Sequence, residues 1–466
     1  MKKKLLAVLL CLLMLGSIFA GCASPADEQT PSQNDGEQAT TNNPEDNQDY
    51  WRRFEGTELT LAIQVGHEGD YVESIMPDFE EKTGIHVTVD KLPQEQLWQK
   101  IQIDTMSKSG SLDCFAMDMM RVTEYAKAGY IEDIDKYIND PTLTDPEVYQ
   151  VDDILAGPLS AGQYQGVQYG VPYTAEMSLF MYRKDIFEKY GIETVPETFD
   201  ELVEVLDTIQ GDPDVYPIGM RGQRGAGMNI YTWTQVFRGF GGDFFVDFPN
   251  DMTPTVNTPE AIEATEFYAE LINKYGPPGS GNWTNMEIYT AQANGDIAMT
   301  MDANAFSGVI ENEERSKTVG KWGYAVVPGG EGGRWPAIYA HMFCINASSK
   351  NKEAAWLLLQ YLTLPEVDVQ KGIATGIPIR ESSWNNEELQ EKLYYRGEGE
   401  YAQACLESMK IGNGQYRPIF ENWTEMGDIL GIAVQDVITG GDTAENALNA
   451  AQAEIEAMLQ KNGYLS

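Results

Sequence analysis

The sequence predicts an α/β protein folded as two lobes. Apolar stretches from residue 58 onward alternate strand, helix, strand, helix, strand, the order that gives parallel strands joined by right-handed crossovers. About 416 residues follow a polar N-terminal stretch, more than one ordinary hydrophobic core organises. The run QYGVPYTAEMSLFMYR (168–183) is one long extended segment that leads into a helix, as expected of a strand crossing from one lobe to the other.

The chain opens MKKKLLAVLLCLLMLGSIFAGC. Three lysines precede an apolar run from Leu5 to Phe19, too short for a membrane span of roughly 20 residues and suited to a secretory signal. IFAGC resembles the bacterial lipobox, with Phe19 where leucine is usual, so residues 1–21 are expected to be a signal peptide and Cys22 a lipidated residue. Acyl chains there would contribute about 0.8 kcal/mol per buried methylene toward membrane anchoring. Residues 22–54 are acidic and nearly free of apolar side chains, and read as a disordered linker beside the membrane.

Composition narrows the function. The formal net charge of −40 opposes nucleic-acid binding, which needs a basic surface. His67, His86 and His341 lack metal-ligand spacing, and no GxSxG, P-loop or HExxH pattern occurs, so no metal or cofactor is expected. Cys114 and Cys344 lie in apolar strand-like runs, either buried as thiols or paired with each other.

In order along the chain, ELTLAIQV (58–65) reads as a strand and DYVESIMPDFEEKTG as a helix closed by Gly84. IHVTVDKL is the second strand, LWQKIQIDTMSKSG a helix closed by Gly110, and SLDCFAMD a buried third strand. Ligands of such sheets sit at the strands' carboxyl ends, which places Val65 to Glu68 and Asp118 to Arg121 on the ligand side. Further helices are expected from Pro196, over NIYTWTQVFRGFGG, and from an N-cap at Thr258 to a C-cap at Gly276. NGDIAMTMD is a strand, KWGYAVVPGGEGGRWPAIYAHMFCINASS holds two more, NKEAAWLLLQYLT is a buried helix, and two helices split at Gly440–Gly441 close the chain.

The order of these pieces resembles the extracellular solute-binding proteins of ABC importers, carbohydrate-binding family 1, which include bacterial lipoproteins. FEEKTGIHVTV, LDCFAMDMMRVTEYAKAGYIEDID, YGVPYTAEMSLFMYRKDIFEKYGIETVPETFDEL and GGDTAENALNAAQAEIEAML carry the likeness. YPIGMRG, FRGFGGDFF, TPEAIEATEFYAELINKYGPPG and NGDIAMTMD narrow it toward binders of sugars, oligosaccharides and sugar alcohols. The resemblance implies a two-lobe periplasmic-binding-protein-like fold with hinge-connected lobes and a central ligand cleft. It implies an N-terminal lobe of 55–172 plus 342–382 and a C-terminal lobe of 173–341 plus 383–466. The partners implied are a carbohydrate ligand, the permease subunits of an ABC transporter and the membrane through the lipid anchor, with the protein itself a monomer.

A sugar offers hydroxyls that donate and accept, and an apolar C–H face, so its site needs carboxylates, guanidinium groups and aromatic faces. The candidates are Glu176 in the hinge strand, Asp118 and Arg121 after the third strand, Arg221 in GMRG, Tyr231 and Trp233 on the aromatic helix, and Asp302 ending a strand. Trp335 in the Gly-rich loop and Trp423 before the last helices complete the set, while Trp98 and Trp356 read as packing residues. The expected activity is capture without chemistry. The alternatives are a surface glycan-binding or sensory protein of the same fold, or a glycoside hydrolase using two cleft carboxylates.

Overall fold

The computed structural model describes residues 50–465. The expected signal peptide, the lipidation site Cys22 and the linker up to residue 49 lie outside the described residues. The folded body begins earlier than expected. Trp51 is buried in a core beneath the Lys82 ammonium, 4.4 Å from its ring centre, and the Tyr50 hydroxyl donates to Leu143 O at 3.0 Å. Burial of these two aromatic side chains offsets the entropy of ordering the chain here.

The first half alternates as the sequence predicts: β1 (Glu58–Gln64), α1 (His67–Thr83), β2 (His86–Leu92), α2 (Gln94–Ser107), β3 (Cys114–Asp118) and α3 (Met119–Lys127). Gly84 closes α1 in the left-handed conformation, where a side chain would be strained. At the end of α2 it is Lys108, not Gly110, that takes the left-handed cap position, and the Asp104 carboxylate just inside the helix gathers the hydroxyls of Ser109 and Ser111. Then come β4 (Gly170–Arg183), α4 (Phe199–Ile209), β5 (Tyr216–Ile218), α5 (Asn229–Gly239) and α6 (Pro259–Asn273). α4 starts at Phe199 rather than Pro196, because Thr198 and Glu201 form a reciprocal capping box. Thr258 caps α6, which ends at Lys274 and not at Gly276. The rest is β6 (Ile297–Ala303), β7 (Trp322–Ala325), β8 (Ile338–Ile345), α7 (Lys352–Leu362), α8 (Glu400–Ile411), α9 (Trp423–Thr439) and α10 (Ala444–Lys461).

These strands form one eight-stranded sheet of order β2-β1-β3-β8-β4-β6-β5, with β7 also pairing β4. The β1–β2 and β1–β3 pairs are parallel as expected, whereas β8 runs antiparallel to both β3 and β4, and β6 antiparallel to β4. The sheet is therefore mixed, for a topological reason: β4 carries the chain outward and β8 brings it back beside it. β4 pairs β8 along residues 170–177 and β6 along residues 178–182, so a single strand serves both halves. Pro172 cannot donate to the ladder, and the register shift between His341 and Met342 lies opposite it.

Two hydrophobic cores flank this shared strand. The first gathers β1, β3, β8 and α7 around Phe79, Phe115 and Trp356. The second gathers α5, α6, α9 and α10 around Trp233, Phe237, Tyr268 and Leu430. Residues 384–409, which the resemblance puts with the C-terminal lobe, include Trp384, Leu389 and Tyr401 packed into the first core, and the second core resumes at Phe420. The fold is two-lobed α/β. Cys114, Cys344 and Cys405 are all free and buried, which settles the open pairing of the first two as unpaired thiols. Among the described residues no helix is long and apolar enough to cross a membrane.

Candidate functional site

Sheet register builds the site. His341 stands opposite both Asp118 on β3 and Thr174 on β4, and Tyr339 stands opposite Glu176. Directly opposed residues share a sheet face, so this row presents a carboxylate, an imidazole, a phenol and a second carboxylate together.

Asp118 caps α3 by accepting from Met120 N–H at 2.9 Å. One helical turn on, Arg121 Nε lies 3.6 Å from Asp118 Oδ2, and the guanidinium covers the Trp98 ring at 4.0 Å. Gln64, Tyr173 and His341 line the same recess. Burial pushes the Asp118 carboxyl up, opposed by the positive fields of Arg121 and His341. The His341 imidazole is pushed down by burial, opposed by Asp118 and Glu68. Trp98, read from the sequence as a packing residue, thus belongs to this recess. The rule that ligands gather at strand carboxyl ends could have found it, since it lies on the helix that follows β2.

Glu176 stands at the centre. Among the described residues its carboxylate has no hydrogen-bond or ion-pair partner, and the residue is half-buried. Burial and the neighbouring Glu68 push it up to about 7, Arg221 draws it down, and Asp302 adds a further push upward. The folded state therefore holds this proton where the unfolded chain has released it. Stability of the ligand-free protein is expected to fall as pH rises from about 4.5 to 7, by up to roughly 3 kcal/mol. Urea unfolding across that window should show the slope, and Glu176→Gln should flatten it.

Arg221 and Asp302 answer each other. Arg221 Nε donates to Asp302 Oδ2 at 2.8 Å and Nη2 donates to Oδ1, a bidentate pair with both residues buried. Asp302 Oδ1 also accepts from Tyr289 OH at 3.3 Å and from Ala303 N–H at 2.6 Å. Arg221 Nη1 donates to Gly227 O at 2.9 Å, and the guanidinium lies 4.5 Å over the Tyr231 ring. So saturated a pair positions its surroundings: it fixes Tyr231 and sets the potential at Glu176.

Tyr231 belongs to neither large core. With Ala303, Ala337 and Tyr416 it forms a small third cluster, against which Trp335 packs. The rings of Tyr231 and Tyr416 meet edge to face at 6.2 Å, and the buried Tyr231 hydroxyl has no hydrogen-bond partner among the described residues. Trp335 is half-buried, held by Nε1 donating to Gly332 O at 2.9 Å and by Arg238 over its ring at 5.2 Å.

Trp233 and Trp423 are placed elsewhere than the sequence suggested. Trp233 is fully buried in the second core, stacked on Phe237 at 4.6 Å with Nε1 donating to Thr265 Oγ1 at 3.0 Å. Trp423 is buried there too, edge to face with Phe244 at 5.2 Å. Trp233 lies mid-way along α5 and Trp423 opens α9, both helices rich in apolar residues, and core packing takes their rings. Trp233→Phe should lower stability by about 1 kcal/mol through the lost hydrogen bond, with ligand affinity unchanged by calorimetry. Tyr339, Tyr416 and Arg417 were missed. Tyr339 shares its strand with residues of the first core, and the other two lie in an irregular segment with no periodicity to mark a face.

The assembled groups offer carboxylate acceptors, phenols, guanidinium donors and ring faces, a set matched to a hydroxyl-rich guest. Among the described residues no group of three or more histidine, cysteine or acidic side chains could hold a metal ion.

Comparison with known proteins agrees with this architecture. The erythritol/L-threitol-binding protein of Mycolicibacterium smegmatis is 25% identical over 426 residues, covering 86% of each chain. The mannitol-binding protein of Pseudomonas aeruginosa is 25% identical over 429 residues, covering 87% of this chain and 94% of its own. An ABC transporter solute-binding protein from Agrobacterium radiobacter K84, solved in complex with ribitol, superimposes with a TM-score of 0.69 at 26% identity, over 87% of this chain and 99% of its own. Residues 66–369 match the model of the bacterial extracellular solute-binding proteins, and the chain belongs to that family.

Proposed function

We propose that the protein captures a sugar or sugar alcohol between its lobes, leaves it chemically unchanged and delivers it to the permease of an ABC importer. The observation that carries this reading is the half-buried Glu176 carboxylate, unpartnered among the described residues, on the sheet face beside Tyr339 and near the Arg221–Asp302 pair. A buried acceptor without a partner is costly unless a guest supplies the donor. The relatives named for erythritol, L-threitol and mannitol, and the one solved with ribitol, support the ligand class. Binding would shift an open–closed equilibrium by the ligand's greater affinity for the closed form, with β4 and β8 as hinge strands. The lobes would divide as 55–172 plus 342–382 and 173–341 plus 383–466, save that residues 50–54 and 384–409 pack with the first core. Residues 1–21 would direct export and a lipid on Cys22 would hold the protein at the extracytoplasmic face as a monomer.

Titration of the full-length protein with a panel of polyols, monosaccharides and oligosaccharides by calorimetry tests the reading. Saturable binding of at least one is expected. Binding of none, with a peptide or polyamine bound instead, would overturn the substrate class. Product analysis after incubation with the bound sugar separates capture from hydrolysis, since capture returns the sugar intact. Cys22→Ala should release the protein from the membrane fraction.

A further inference from the structure

Four arginines are buried among the described residues: Arg183, Arg221, Arg380 and Arg417. Three have a carboxylate. Arg183 pairs with Asp185 at 2.7 Å, Arg221 with Asp302, and Arg380 with Asp153 at 3.3 Å. Arg417 has no ion-pair partner among the described residues. Its Nη1 donates to Ala226 O at 3.0 Å, while Nε and the adjacent Tyr416 hydroxyl, close enough to influence each other, each lack a hydrogen bond of good geometry. The guanidinium is boxed by the rings of Tyr416 at 4.8 Å, Tyr231 at 5.7 Å and Trp423 at 5.9 Å.

Rings soften the desolvation of a cation but do not neutralise it, and buried charges in folded proteins are paired. Tyr231 and Tyr416 are the aromatic members of the small third cluster at the candidate site. The Tyr231 ring lies within reach of both Arg417, at 5.7 Å, and Arg221, at 4.5 Å, so the guanidinium stands close to the Arg221–Asp302 pair of the candidate site. A neutral hydroxyl would satisfy an N–H but leave the charge, whereas the planar Nε–Nη2 edge matches the two oxygens of a carboxylate.

We propose that Arg417 receives the carboxylate of an acidic polyhydroxylated ligand, an aldonic or uronic acid, whose hydroxyls are held by Glu176 and the surrounding phenols. This rests on the reading that the cleft takes a sugar or polyol. A phosphate ester is disfavoured, because one planar guanidinium edge matches the two oxygens and single charge of a carboxylate and leaves a phosphate's second negative charge unmatched.

The test is calorimetric titration of the full-length protein with matched pairs: ribitol and ribonate, mannitol and mannonate, glucose and glucuronate, with glucose 6-phosphate as a further arm. In at least one pair the acid should bind about tenfold or more tightly than its neutral partner. Arg417→Gln should bring that ratio near one, and Arg417→Lys, which keeps the charge without the fork, should reduce it and carries the test if the glutamine variant does not fold. Neutral ligands equal to or tighter than their acids in every pair, a ratio unchanged in both variants, or preference for the phosphate ester would overturn the proposal while leaving sugar or polyol capture standing. Binding of no member of any pair would overturn both.

Discussion

Asp302→Ala is expected to lower folding stability by about 3–5 kcal/mol, the largest effect of any single change at the site. The substitution removes both acceptors of the Arg221 fork and leaves a guanidinium buried without its counter-charge. It also removes the acceptor of the Ala303 amide, Asp302 Oδ1. Breaking such a pair on one side is far costlier than replacing both partners, so the double variant Arg221→Met with Asp302→Ala should recover part of the loss. Chemical denaturation of the single and double variants measures this. A loss below about 1 kcal/mol in the single variant would mean that the pair is not the buried strut its geometry describes.

Glu176→Ala should act on binding instead. A hydrogen bond between a ligand hydroxyl and the Glu176 carboxyl group contributes about 1–2 kcal/mol, equivalent to roughly 5- to 30-fold in affinity. The ligand-free variant should fold as well as the parent or better, since the carboxylate has no partner among the described residues and its burial is unfavourable. Calorimetry on whichever ligand the panel identifies gives the affinity and thermal unfolding gives the stability. Undiminished affinity would remove Glu176 from the site.

How much of this was legible in the sequence depended on whether local pattern or long-range register decided the outcome. The strand and helix order from β1 to α3 was legible because alternating and helical periodicities are local, and the Gly84 and Thr258 caps because their chemistry is local too. The antiparallel placement of β8 was not, since it depends on where the chain returns more than 150 residues after β4 begins. Asp118, Glu176, Arg221, Tyr231 and Asp302 could be nominated as strand-end, hinge or helix residues. That Arg221 and Asp302 hold each other, leaving Glu176 alone, could not, because a pair separated by 81 positions leaves no sequence trace. The tryptophans divided on the same ground. Residue type alone does not separate Trp233 in the second core from Trp335 against the third cluster, and only packing does. Arg417 and Tyr416 had no periodic context, and their importance lies in what they fail to contact.

In the proposed mode of capture a hydroxyl-rich guest sits on the sheet face bearing Glu176 and Tyr339, against Tyr231 and Trp335. A crystal structure of the protein with its tightest-binding sugar or polyol tests it most directly. The ligand is expected with a hydroxyl within hydrogen-bond distance of the Glu176 carboxylate and carbon atoms in contact with the Tyr231 or Trp335 ring. Ligand bound elsewhere, such as the hollow of about 290 Å³ lined by Tyr164, Phe248, Phe420 and Tyr464, with the Glu176 carboxylate untouched, would contradict it.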